Sequence, residues 1–136
     1  MTPEVATTLV ATATYAVMVI AYFNASRRAF HVPVMISIMV FDLLMPFYLY
    51  LDRDLYKRLI LNQDILTFGV WMHFMLIVVL YMLYFFQVQT AVNIWRGQDI
   101  AAARAEHRAQ GKGVLLVRAF VIITGAMLIA PTQAPT

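Results

Sequence analysis

The 136-residue chain contains no cysteine, and this absence removes several kinds of site. Disulfide bonds, thiolate nucleophiles, cysteine-ligated zinc, iron–sulfur clusters and covalently attached c-type haem all need that side chain. Any metal or haem must therefore be held by histidine, methionine, tyrosine or a carboxylate.

Charged residues are also scarce, at 12% of the chain against 62% hydrophobic residues. A soluble domain has about 25% charged and about 45–50% apolar residues, and the mean hydropathy of +0.76 departs from a soluble protein in the same direction. Disorder is excluded because it needs low hydrophobicity and high charge. The composition predicts one integral membrane domain over residues 1–136, whose net charge of +3 indicates basic loops and not nucleic-acid binding.

Four apolar runs predict four transmembrane helices, because each run is near the roughly 20 residues that cross a hydrocarbon core of about 30 Å. Strands are not expected, since an isolated strand leaves backbone groups unsatisfied in lipid. The connections are short, so the predicted fold is an all-α, up-down-up-down four-helix bundle. The predicted spans are residues 5–23, 32–51, 65–88 and 114–130.

The distribution of lysine and arginine predicts the orientation of these spans. The loops after the first and third spans carry six such residues, and the loop after the second carries three. The positive-inside rule then places both termini on the non-cytoplasmic side. The six are Arg27, Arg28, Arg96, Arg104, Arg108 and Lys112, and the three are Arg53, Lys57 and Arg58.

The third loop is the longest, and its stretch 99–110 is rich in alanine with arginine and glutamate. This pattern predicts either a short helix at the membrane surface or a helical extension that Gly111 and Gly113 end.

Two charged residues lie well inside the predicted spans, Asp42 and Arg118. An ionisable group there costs at least about 2.5–3.5 kcal/mol on insertion scales, so it is expected to face the bundle interior or a partner. Arg118 lies near the start of its span, and the plainer expectation is that it snorkels to the cytoplasmic surface. Asp42 lies near the middle of its span, where Pro46 should kink the helix and free a backbone carbonyl.

Asp42 shares one face of the second span with His31 and Met35. His73, in the third span, is predicted to lie at a similar depth to Asp42. A pair formed by Asp42 and His73 would be a metal site, a proton relay or an interhelical hydrogen bond, and neighbouring methionines add copper(I) as a candidate. The plainer interpretation is structural, with Asp42 as a contact between helices and the methionines as packing residues.

His31 opens the second span and His107 precedes the fourth, so the predicted topology puts both at the cytoplasmic end. Two histidines on different helices at equal depth can ligate a b-type haem axially. His73 is a further candidate ligand toward the other side of the membrane, where no second histidine is found. The plainer alternative for His107 is a histidine at the protein surface.

Conventional catalytic arrangements are missing from the sequence. There is no glycine-rich phosphate loop and no HExxH motif, and Ser37 has no identifiable base beside it. The chain is therefore not expected to be an enzyme on its own.

Three segments of the chain point to a family. His31-Val-Pro-Val-Met35 opens the second span, Trp71-Met-His73 lies in the third, and Glu106-His107-Arg108 precedes a last span containing Thr124-Gly125. Together they resemble a family of small, largely uncharacterised four-helix bacterial membrane proteins that includes a maturation factor for haem-copper terminal oxidases. The resemblance covers roughly residues 30–130 and implies a multi-pass protein of the bacterial cytoplasmic membrane that works with other membrane subunits.

Three hypotheses for the function follow. The first is an accessory or maturation component of a respiratory complex of the haem-copper oxidase type, or of a related energy-transducing membrane complex. The second is a small b-type haem or quinone-reactive electron-transfer protein that uses His31, His107 or His73. The third is an intramembrane metal-handling or transport protein that uses Asp42 and His73.

Overall fold

The computed structural model describes residues 3–52 and 65–128, with side chains over residues 5–48 and 68–128. Four helices cover nearly all of this described part, which contains no strand. They are α1 (Pro3–Phe23), α2 (Arg28–Asp52), α3 (Ile65–Trp95) and α4 (Ile100–Met127). The predicted all-α fold is confirmed.

Each helix contains a stretch that is long and apolar enough to cross a membrane, and only a small share of each stretch is buried inside the bundle. Large apolar side chains cover the outside of all four helices. Water would penalise so much exposed apolar surface, whereas lipid does not. The chain is therefore a multi-pass membrane protein. The four stretches are Val5–Phe23, Arg28–Tyr48, Phe68–Trp95 and Ile100–Met127.

Helix α4 is longer than the predicted fourth span. It begins at Ile100 and continues through Gly111 and Gly113 to Met127. The alanine-rich stretch therefore forms about the first three turns of α4. The expectation that the two glycines end this stretch is wrong, because packing against α1 and α3 holds the helix across them.

A tight turn joins α3 to α4. The N–H of Gly97 donates to the carbonyl of Ile94 at 3.2 Å, and the N–H of Gln98 donates to the carbonyl of Asn93 at 3.1 Å. This pair of bonds is a Schellman motif, which needs a residue in the left-handed region. Gly97 supplies it with φ of 70°, and the chain can then reverse direction into α4.

Helix α1 packs closely against α2 and α4, and α3 packs closely against α4. Consecutive helices are antiparallel, so α2 and α4 are parallel to one another. The bundle has a small apolar core, which consists of Met18, Ile38, Leu80, Tyr84 and Val114. Polar clusters lie on both sides of this core.

Part of the predicted topology falls outside the described residues. The described residues include neither the second loop, which contains Arg53, Lys57 and Arg58, nor the chain beyond residue 128. The orientation of the termini across the membrane stays a prediction.

Candidate functional site

A cluster of polar side chains from all four helices lies in the middle of the bundle. We call it the central cluster, and it consists of Thr14, Asp42, Tyr81, Tyr84 and Arg118. Arg118 is only 2% exposed, and the side chain of Asp42 is 12% exposed. Nε of Arg118 donates to Oδ2 of Asp42 and Nη2 donates to Oδ1, both at 2.9 Å. Two parallel bonds of this kind fix the geometry of the ion pair.

Helices α1 and α3 add hydrogen bonds to the ion pair. Nη2 of Arg118 also donates to Oγ1 of Thr14 at 2.9 Å, and the hydroxyl of Tyr84 donates to Oδ2 of Asp42. Nη1 of Arg118 is buried without a hydrogen-bond partner in the described part of the chain. A buried charge pair is tolerated in a low-dielectric interior when it is paired and hydrogen-bonded in this way.

Pro46 explains one further contact of the central cluster. It lies inside α2 and has no N–H to donate to the carbonyl of Asp42, four residues earlier. The hydroxyl of Tyr81 donates to that carbonyl at 2.8 Å. The free carbonyl that Pro46 was expected to leave beside Asp42 is present, and α3 satisfies it.

The expectation that Arg118 snorkels to the membrane surface is wrong. Its guanidinium group points into the bundle and pairs with Asp42. The physical reason is that an opposite charge is available at the same depth, so pairing replaces hydration by interfacial water.

The expected pair of Asp42 and His73 is not formed either. Asp42 contacts Tyr81, and His73 lies eight residues before Tyr81 on α3, which is about 12 Å along the helix. His73 instead lies beside α4, where its Nδ1 is 2.7 Å from Oγ1 of Thr124. The sequence predicted similar depths for Asp42 and His73 by counting from the ends of the apolar runs. The contacts of Tyr81 with α2 and of His73 with α4 set a different register between the helices.

A second polar cluster lies at the end of the bundle that holds the α1–α2 and α3–α4 connections. We call it the histidine cluster, and it consists of His31, Thr90 and His107. The ring centroids of His31 and His107 are 6.4 Å apart, with the rings inclined by 68°. Nδ1 of His31 is 2.8 Å from the carbonyl oxygen of Ala21, and Nδ1 of His107 is 2.9 Å from Oγ1 of Thr90. The structure thus brings together two of the three histidines of the chain.

The contact of His31 defines which of its ring nitrogens carries the hydrogen. A carbonyl oxygen can only accept, so Nδ1 of His31 is the protonated nitrogen of its neutral ring. The hydroxyl of Thr90 is also 3.1 Å from the carbonyls of Phe86 and Gln87 in its own helix and 3.2 Å from Oε1 of Gln110, so its one hydrogen has several acceptors, and the direction of the bond between Thr90 and His107 depends on the tautomer of His107. The lone pair of Nε2 is therefore free in neutral His31, and it is free in His107 in the tautomer that donates from Nδ1 to Thr90; neither Nε2 bonds to a described residue.

The same spacing links the two clusters on α2 and on α4. His31 and Asp42 are eleven residues apart, and so are His107 and Arg118. Eleven residues are about three helical turns and about 16 Å, so the two residues of each helix share one face. Sequence reasoning missed the pairing of Asp42 with Arg118, and this matched spacing on two parallel helices is the signal that predicts it.

Other sequence candidates have simpler surroundings. Met35 packs against the apolar core. Within residues 5–48 and 68–128, no three His, Cys, Asp or Glu side chains are grouped so that they could hold a metal ion. Comparison of the chain with protein-family models, curated proteins and solved structures finds no match. Function must therefore be inferred from the two polar clusters and from the sequence.

Proposed function

We propose that this chain is an accessory or maturation component of a respiratory membrane complex of the haem-copper oxidase type, in the cytoplasmic membrane of a bacterium. The observation that carries the proposal is that the two charges of the central cluster, Asp42 and Arg118, are paired with each other inside the bundle. Both carboxylate oxygens of Asp42 accept hydrogen bonds from other helices of the same chain. Arg118 is occupied by Asp42 and Thr14.

A closed ion pair argues against transport of a solute through the bundle. Charged groups that serve transport face a water-filled cavity or a substrate path. The carboxylate of Asp42 instead faces Arg118 and Tyr84, both of which are buried. The metal-handling hypothesis also loses its expected pair of ligands, because Asp42 and His73 lie at different depths. The central cluster therefore ties the four helices together.

The outer surface of the bundle supports action through other membrane proteins. The described connections, 24–27 and 96–99, are short, so they offer little surface to a soluble substrate. The exposed faces of all four helices are apolar, and such faces can contact lipid or the helices of other membrane subunits. The resemblance carried by the segments around His31, His73 and His107 supports the same assignment.

Affinity purification from the native membrane tests the proposal. The chain, carrying an affinity tag, is extracted in mild detergent, and the proteins that migrate with it on native electrophoresis are identified by mass spectrometry. In parallel, the gene is deleted, and cofactor-loaded oxidase is measured from visible spectra of the membranes. The reintroduced wild-type gene is the control.

Each outcome has a defined meaning. Stoichiometric respiratory partners would support a subunit. A lone chain whose deletion lowers the cofactor-loaded oxidase would support a maturation factor. A chain that migrates alone and whose deletion leaves the amount and spectrum of every respiratory complex unchanged contradicts the proposal.

A further inference from the structure

We propose that His31 and His107 are the two axial ligands of one non-covalently bound haem at the end of the bundle. The separation of the rings is the first support. With metal–imidazole bonds of about 2.0–2.1 Å, two imidazoles on opposite sides of one metal have ring centroids about 6–6.5 Å apart. The centroids of His31 and His107 are 6.4 Å apart.

The hydrogen bonds of the two rings are those of ligating histidines. A histidine that binds a metal usually donates its other ring N–H to a carbonyl or a similar acceptor, which fixes its tautomer and its orientation. His31 donates to the carbonyl of Ala21, and Nδ1 of His107 lies 2.9 Å from the hydroxyl oxygen of Thr90, which can accept its hydrogen. Ala21 and Thr90 are themselves buried, so both acceptors are held in place. Each ring is left with Nε2 to offer to iron.

A pair of histidines is sufficient for a haem but not for a bare metal ion. Protein zinc sites use three or four side-chain ligands, and within the described residues no carboxylate or third histidine joins His31 and His107. A porphyrin supplies four nitrogens of its own, so two axial histidines complete the coordination of its iron. The absence of cysteine excludes the covalent attachment of c-type haem, so such a haem is held non-covalently.

The helices and charges around the histidine cluster also fit a haem. α2 packs closely against α1, and α4 packs closely against α1 and α3. The two histidines therefore meet across α2 and α4, which are not among the closely packed pairs. Haem carries two negatively charged propionates, which basic side chains stabilise. Exposed basic residues near this end are Arg27, Arg28, Arg96, Arg104, Arg108 and Lys112.

Titration of the purified full-length protein with hemin in detergent tests the site. We expect one haem per chain, a Soret band, and an electron paramagnetic resonance spectrum of low-spin, six-coordinate iron. His31→Gln and His107→Gln should each lose the low-spin signal. His73→Gln is the matched control, since His73 lies at the other end of α3 beside Thr124, and it should bind haem as the wild type does.

Thr90 is expected to act as a positioning residue for His107. Thr90→Val removes the acceptor for Nδ1 and should weaken haem binding by about 10–100-fold, the usual effect of such a partner. It should also shift the low-spin resonance, which a purely structural role would not do. Thr90→Ser keeps the hydroxyl and should restore both properties.

Far-UV circular dichroism separates loss of haem from loss of fold. Should a glutamine variant fail to fold, near-infrared magnetic circular dichroism of the haem-loaded wild type still reports whether two histidines are the ligands. The proposal is overturned by a wild type without a Soret band, by a low-spin spectrum that persists in His31→Gln or His107→Gln, or by a purified chain that holds zinc or copper and no haem. A haem-binding chain that migrates alone and whose deletion leaves every respiratory complex unchanged would refute the proposed function alone. A haem-free chain that migrates with an oxidase would refute this site alone.

Discussion

Removal of one charge from the central cluster is expected to destabilise the bundle more than removal of both charges. Arg118→Met leaves the carboxylate of Asp42 without its counter-ion, and Asp42→Leu leaves the guanidinium of Arg118 buried in the same state. Loss of one partner from a buried ion pair costs about 3–5 kcal/mol, whereas replacement of both by apolar residues is often close to neutral.

The remaining cost in the double variant can be derived from the hydrogen bonds. Tyr84 loses the oxygen that accepts its hydroxyl hydrogen, and a buried hydroxyl without a partner costs about 1–3 kcal/mol. Thr14 keeps its bond to the carbonyl of Ala11 at 2.8 Å. We expect a loss of about 1–3 kcal/mol for Asp42→Leu with Arg118→Met, against about 3–5 kcal/mol for each single variant.

The assay is equilibrium unfolding by sodium dodecyl sulfate in mixed micelles, followed by far-UV circular dichroism. Each loss of about 1.4 kcal/mol changes the unfolding constant tenfold. Arg108→Met is the matched control, because Arg108 is exposed on the same helix, and it should change stability by less than about 0.5 kcal/mol. If the double variant loses the sum of the two single losses, Asp42 and Arg118 are not coupled and the reasoning is refuted.

Two further predictions concern packing and topology. Gly125→Ala should destabilise the bundle, because the new methyl group would lie 3.2 Å from Cε1 of His73. In Gly113→Ala the new methyl group has no neighbour nearer than 3.8 Å, so this variant should stabilise α4 by about 0.5–1 kcal/mol. Equal stabilities of the two variants in the same unfolding assay would contradict the close contact between Gly125 and His73. Single cysteines in place of Ser26 and Gln98 should be shielded from a membrane-impermeant maleimide in intact cells, because the positive-inside rule puts both connections in the cytoplasm. The chain has no native cysteine to react. Labelling of both positions would show that the connections lie outside the cytoplasm and that the predicted orientation is wrong.

The number and helical character of the spans could be predicted from the sequence, because they depend on local hydropathy and on the thickness of the bilayer. The free carbonyl of Asp42 was equally predictable, since it follows from the chemistry of Pro46 within one helix. The meeting of His31 and His107 at one end needed only the alternation of up and down helices. All of these are properties of one helix or of the order of helices.

The partners of Arg118 and His73 could not be predicted from each helix alone. Arg118 near the start of an apolar run has the local pattern of a snorkelling residue, and only the facing Asp42 changes that outcome. The position of His73 depends on the register between α3 and α4. That register is set by the hydrogen bond to Thr124 and by the missing side chain of Gly125, against which the imidazole packs.

The opposite signs of Asp42 and Arg118 have a consequence for assembly. The chain consists of two helical hairpins, α1–α2 and α3–α4, and the second helix of each has a histidine and a charge at the same spacing. A four-helix bundle made from two copies of the same hairpin would bury two carboxylates or two guanidinium groups at the same depth. Like charges so close together in a low-dielectric medium cannot both remain ionised without a large cost. The opposite signs therefore favour a bundle with one hairpin of each kind, in which the two halves of the chain are not interchangeable.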